Sequence, residues 1–237
     1  MKLRLIPTLA LASTLLLSAA ASAAVLADQA PNTGFGVALA SQLWIDPIGD
    51  NDRGTDAVTW VDFALTAPAS VEHLEWWGKG TSELGFRIEF WAQDPGTTAY
   101  QPLGALYYGG VETTQPQARF TVIPGQYTQS AGPAGQTHYA LDLAIPVELA
   151  ANDGANPRWF LDIVALTNVN VSSWNWWEGT GASVGSFQYI RGEGPRFWAS
   201  GNARAMLLTG SLVPEPQTGV LLLLGLAAVG FVRRRSL

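Results

Sequence analysis

Between Val25 and Leu212 the apolar residues recur with the two-residue period of a strand, and no run carries helical spacing. Phe86, Ile88 and Phe90 alternate with Arg87, Glu89 and Trp91, and Tyr139, Leu141 and Leu143 alternate with Ala140, Asp142 and Ala144. Each set reads as a half-buried strand with one apolar face. Further strand-like runs span 42–45, 57–65, 71–77, 103–108, 118–123, 158–166, 172–177, 186–190 and 203–212. Asp94-Pro-Gly96, Ile123-Pro-Gly125 and Gly132-Pro-Ala-Gly135 supply turn chemistry between them. Eleven strands in one domain predict an all-β fold, a two-sheet antiparallel β-sandwich of jelly-roll type, with a closed barrel as the alternative.

Both ends break this period. Lys2 and Arg4 precede an apolar stretch from Leu5 to Ala20, and Ala21-Ser22-Ala23 is a small-x-small site for signal peptidase. Residues 1–23 therefore read as a signal-peptide helix that engages the Sec translocon and is cut after Ala23 or Ala24. At the other end Gly219 to Val232 is apolar and Arg233, Arg234 and Arg235 follow, a membrane helix over about 218–232 with a cytoplasmic basic end. The run is short of the roughly 20 residues needed to span squarely, which favours a removable signal over a lasting anchor. The predicted organisation is a signal peptide at 1–23, an extracellular sandwich at 24–212 and a C-terminal signal at 213–237.

Pro214, Glu215 and Pro216, the short apolar helix and the three arginines together resemble the PEP-CTERM sorting signal of Gram-negative exoproteins. The resemblance implies recognition by an exosortase-like membrane protease, cleavage near Pro214 to Pro216, and a protein held transiently in the inner membrane before it reaches the cell surface or the medium. Leu74-Glu-Trp-Trp-Gly78, the stretch from Phe86 to Gly96 and Trp159-Phe-Leu-Asp-Ile163 are similar to an extracellular domain recurrent in PEP-CTERM proteins. That likeness brings no functional residues with it.

Loss of Lys2, Arg4 and the three terminal arginines makes the domain more acidic than the −6 of the whole chain. An acidic surface repels phosphate backbones, so nucleic acid is not an expected partner, whereas neutral glycans and divalent cations are compatible. With no cysteine, neither disulfides nor thiolate chemistry contribute.

Ten tryptophans are an excess for this length, and aromatic rings both fill cores and stack on sugars. Strand geometry sets Trp76 and Trp77 on opposite faces, and sets Trp174 and Trp176 against Trp177. The candidate glycan platform is one of Trp76 and Trp77 with Trp174 and Trp176, or else with Trp177, for exopolysaccharide, with Asn175, Glu178 and Asp94 bonding hydroxyls. Asp46, Asp50, Asp52 and Asp56 crowd one loop with oxygen ligands of the kind Ca²⁺ prefers, but the spacing departs from an EF-hand, so no metal or other cofactor is assigned beyond this weak calcium candidate.

No nucleophile elbow, Ser-x-x-Lys box or metallohydrolase motif occurs, His73 and His138 lie on separate strands, and the chain reads as a non-enzyme with no catalytic residues assigned. The alternative is a secreted glycan-active hydrolase with paired carboxylates drawn from Glu72, Glu75, Glu83, Glu89, Glu178 and Glu193.

Overall fold

The computed structural model describes residues 23–45, 56–93, 115–168, 173–181, 185–190 and 197–213. They form an all-β fold of two sheets. The first holds β1 (Ala24–Gln29), β2 (Leu39–Ala40), β5 (Ala69–Gly80), β8 (Thr128–Ala131), β9 (Thr137–Leu149), β11 (Trp174–Trp176) and β14 (Met206–Leu212). The second holds β3 (Gln42–Trp44), β4 (Ala57–Phe63), β6 (Gly85–Ala92), β7 (Ala118–Val122), β10 (Trp159–Thr167), β12 (Ser186–Ile190) and β13 (Phe197–Ser200). Among the described residues no helix is long and apolar enough to cross a membrane. The predicted signal helix and the helix over about 218–232 lie outside the described residues.

Strand β5 is the spine of the first sheet. It pairs with β9 from Ala69 to Gly78, and with β14 and then β11 in succession. Gly78 makes the β11 contact possible, because a Cβ there would lie 2.3 Å from the Trp174 ring. In the second sheet β10 pairs with β6 along Trp159 to Leu166, and β6 pairs with β7 at the edge.

The expected antiparallel pairing fails at one place: β3 runs parallel to β10. β4 is registered with β10 only from Trp159 to Asp162, and β3 pairs with Ala165 to Thr167 beyond that stretch. Ser41 pins it there, donating to the Ile163 carbonyl at 2.7 Å and accepting from the Thr59 N–H at 3.2 Å. The strands β1, β2, β8 and β13 were not expected from the pattern, and the run at 103–108 lies outside the described residues.

Between the sheets Phe86, Ile88 and Phe90 meet Trp76, Tyr139 and Leu141, all buried. The second sheet is also buried on its outer face, where Val58, Trp60, Trp91, Phe160 and Val164 form a second apolar cluster. Glu89 and Trp91, read from their alternation as the open side of β6, are therefore buried.

Candidate functional site

Strand parity places the five candidate tryptophans as expected, and the stacking of the sheets decides which are accessible. Trp76, Trp174 and Trp176 point inward and are fully buried. Trp177 points outward but is 6% exposed, with its indole N–H donating to the Asn32 carbonyl at 2.8 Å and the Lys79 ammonium 4.5 Å from its ring centre. These four rings offer no face to a polysaccharide, and the broad platform expected from them is corrected to a single ring, Trp77. It is half-buried on the outer face of β5, stacked on the His138 imidazole with 4.5 Å between ring centres.

Around Trp77 the fold assembles a polar strip that local sequence does not announce. Cross-strand pairing sets Trp77 opposite His138, His73 opposite Asp142 and His138 opposite Ser130. The Glu75 carboxylate joins the chain's two histidines, 2.7 Å from His138 Nε2 and 3.2 Å from His73 Nε2. His73 Nδ1 is 2.6 Å from Asp142, and His138 Nδ1 is 3.1 Å from the Ser130 hydroxyl. The strip thus runs from Ser130 through His138, Glu75 and His73 to Asp142, and Trp77 is its aromatic member. Because β5 and β9 are distant in sequence, only their register brings the two histidines together.

The other candidate carboxylates do different work. Glu72 accepts from the Ser211 hydroxyl at 2.7 Å and Glu83 from the Thr81 hydroxyl at 2.8 Å. Glu178 accepts from the Asn32 side-chain amide at 3.0 Å and the Val37 N–H at 2.7 Å, so its carboxylate is committed to the 32–37 segment. Asn175 is half-buried on β11, and Asp94 and Glu193 lie outside the described residues.

Glu89 has a close partner in Asp162, opposite it on β10. Both are buried, and the Trp91 indole N–H lies 3.1 Å from Glu89 and 2.9 Å from Asp162. Arg87 at 3.0 Å and Arg119 pair with Glu89. Burial pushes the Asp162 carboxyl well above the ordinary carboxylate range; the Glu89 charge and hydrogen bond add to the rise, and Arg87 and Trp91 oppose it. A glycosidase pair leaves room for substrate or water between its carboxyls, whereas these two are buried and share the one Trp91 indole N–H.

The raised value makes the fold pH-sensitive. Folded Asp162 keeps its proton above pH 4, where the unfolded chain has released it, so stability is full below that pH and is lost as pH rises toward the folded value. Asp162→Asn is expected to remove this loss of up to about 1.4 kcal/mol per pH unit. Urea unfolding at pH 5 and pH 8 checks it: the variant should gain on wild type at the higher pH, and an unchanged difference counts against the assignment.

Of the calcium candidates, Asp46, Asp50 and Asp52 lie outside the described residues, while Asp56 is buried and accepts from the Trp44 N–H at 2.9 Å. Among the described residues no group of three or more His, Cys, Asp or Glu side chains is arranged so that it could hold a metal ion. A cleft of about 690 Å³ opens between β7 and β9, lined by Phe120, Val122, Leu141, Leu143 and Ile145, where β9 arches away from β5 between Asp142 and Val147.

Of the predicted processing residues, Ala21, Pro214, Glu215, Pro216 and Arg233 to Arg235 lie outside the described residues, and Ala23 is exposed directly before β1. β14 leads straight to that C-terminal segment. Residues 212–236 match the family model of the PEP-CTERM protein-sorting motif. The tail is thus a sorting signal of the kind that exosortase-like membrane enzymes process, and it marks the protein for export to the cell surface or beyond. None of the curated proteins and none of the solved structures searched matches the chain.

Proposed function

We propose that the protein is a structural or adhesive component of the cell surface or extracellular matrix that holds exopolysaccharide on the outer face of its first sheet. The observation that carries this reading is Trp77: of the five candidate rings it alone combines surface exposure with polar neighbours, namely His138, Glu75 and Lys79 on the same face. An aromatic ring flanked by hydrogen-bonding groups suits a sugar, which presents an apolar C–H face and a rim of hydroxyls. The protein reaches that setting through a Sec-dependent signal peptide, a passing stay in the inner membrane and removal of the sorting tail. No catalytic step is part of the proposal.

Trp77→Ala is expected to lower retention on the host's exopolysaccharide roughly tenfold, the factor carried by about 1.4 kcal/mol of lost contact, while the melting temperature moves by only a few degrees. Pull-down of wild type, Trp77→Ala and Trp77→Phe checks it, with phenylalanine retaining most of the binding. Equal retention of all three sinks the glycan reading. Intact mass of the protein from the cell surface and medium tests the processing: both the first 23 or so residues and the segment after Pro216 should be missing.

A further inference from the structure

The domain and its sorting signal have no linker between them. β14 is an interior strand, flanked by β1 on one side and β5 on the other. Its pairing with β5 continues to its last residue, Leu212 opposite Ala69, and the Val213 N–H then donates to the Pro68 carbonyl at 2.8 Å. The sorting-motif match begins at Leu212, and Pro214-Glu215-Pro216 follows Val213 directly.

Two physical consequences meet at this junction. From Val213 to Gly219, where the apolar run starts, six residues reach at most about 20 Å, so an unprocessed chain holds this end of the sandwich close to the membrane. That end presents apolar side chains to solvent: Val25, Leu212 and Val213 are 64%, 53% and 38% exposed, and Ala24 at the start of β1 lies opposite Gly210. A protease, moreover, binds its substrate as an extended strand through backbone groups on both sides of the cut. At Leu212 and Val213 backbone groups are already committed to Ala69 and Pro68, so only local opening frees them.

We propose that the folded sandwich restrains its own processing: the exosortase-like enzyme gains the Pro-Glu-Pro region only when the last residues of β14 peel away from β5. Cleavage is then governed by a local opening at the membrane-facing end of the sheet, and the release rate is set by the domain as well as by the signal. This inference rests on the sorting-motif match and is independent of glycan binding.

The test uses the full chain in a host with its sorting enzyme, following conversion from precursor to mature mass by pulse-chase. A flexible Gly-Ser spacer of about eight residues between Val213 and Pro214 is expected to speed conversion roughly tenfold. The same spacer in the Gly125 turn, on the β7 to β8 connection, should leave the rate unchanged. Ala69→Cys with Leu212→Cys places one cysteine on each strand at a registered pair, within disulfide reach, in a chain that otherwise lacks cysteine. The oxidised form should convert several-fold more slowly and recover on reduction. Equal rates for wild type, the junction spacer and the oxidised staple overturn the proposal. An equal acceleration by the Gly125 spacer overturns it too, because the gain then comes from general loosening.

Discussion

Trp76→Ala is expected to lower the melting temperature of the domain by roughly 10–15 °C, the largest single effect of any tryptophan substitution considered. Trp76 is fully buried between the sheets, stacked on Tyr139 with 5.3 Å between ring centres, edge-on to Phe86 at 5.2 Å and tilted against Tyr127 at 6.0 Å. Removing such a ring forfeits its transfer free energy and leaves a cavity that three neighbouring aromatic rings cannot close, about 3–5 kcal/mol in all. In a domain of this size each kcal/mol is worth about 2–4 °C. Calorimetry checks it, and a shift under about 3 °C would mean that the sheets collapse onto the gap. Trp77, one position along and on the other face, should give almost none of this effect, which is what makes it usable as a binding probe.

The second large effect belongs to Arg204. Its guanidinium is buried just before β14 and donates to the Val37 carbonyl at 2.8 Å and to the Trp176 and Asn202 carbonyls, both at 3.3 Å. Burial lowers its pKa to about 10, and the Glu178 charge opposes that fall. Glu178 meanwhile accepts from the Val37 N–H, so the two side chains hold both backbone groups of one residue and tie the segment after β1 to the sheet.

Arg204→Ala strands these three carbonyls, at an expected cost of about 3–5 kcal/mol, since each buried acceptor left unpaired costs about 1–3 kcal/mol. Arg204→Lys is expected to recover less than half of that, since a single ammonium cannot replace a fork that reaches three acceptors in different directions. Chemical unfolding of both variants measures the difference. Equal stability of the lysine variant and wild type would show that charge alone is needed.

Much of the fold was legible in the chain because period-two alternation is a local property. Phe86, Ile88 and Phe90 face the core as their spacing predicts, and Trp174 and Trp176 share a face that Trp177 does not. Strands with weak local signals went unseen. β8 is wholly exposed and mostly polar, β2 has two residues, and the start of β1 adjoins the expected signal-peptidase site.

The alternation also misjudged the far side of β6. Period two distinguishes two faces of a strand but does not say whether the second face is covered, and here Glu89 and Trp91 are buried beneath the outer cluster. The candidate site was legible only as a list of rings. Which ring stays at the surface depends on how the sheets stack. The partners of Trp77 come from β9, with His138 63 residues from the glutamate it bonds.

The sequence by itself determined that the chain is β-structured and where it is sent, because alternation and a sorting signal are both read along a short stretch of chain. Tertiary structure alone decided that four of the five candidate tryptophans belong to buried packing, that the two histidines converge on Glu75, that Glu89 and Asp162 form a closed pair, and that β14 enters the sorting signal without a spacer. Each of these depends on register and burial between strands far apart in the chain, and the free energy of burial is defined only once the sheets have closed on each other.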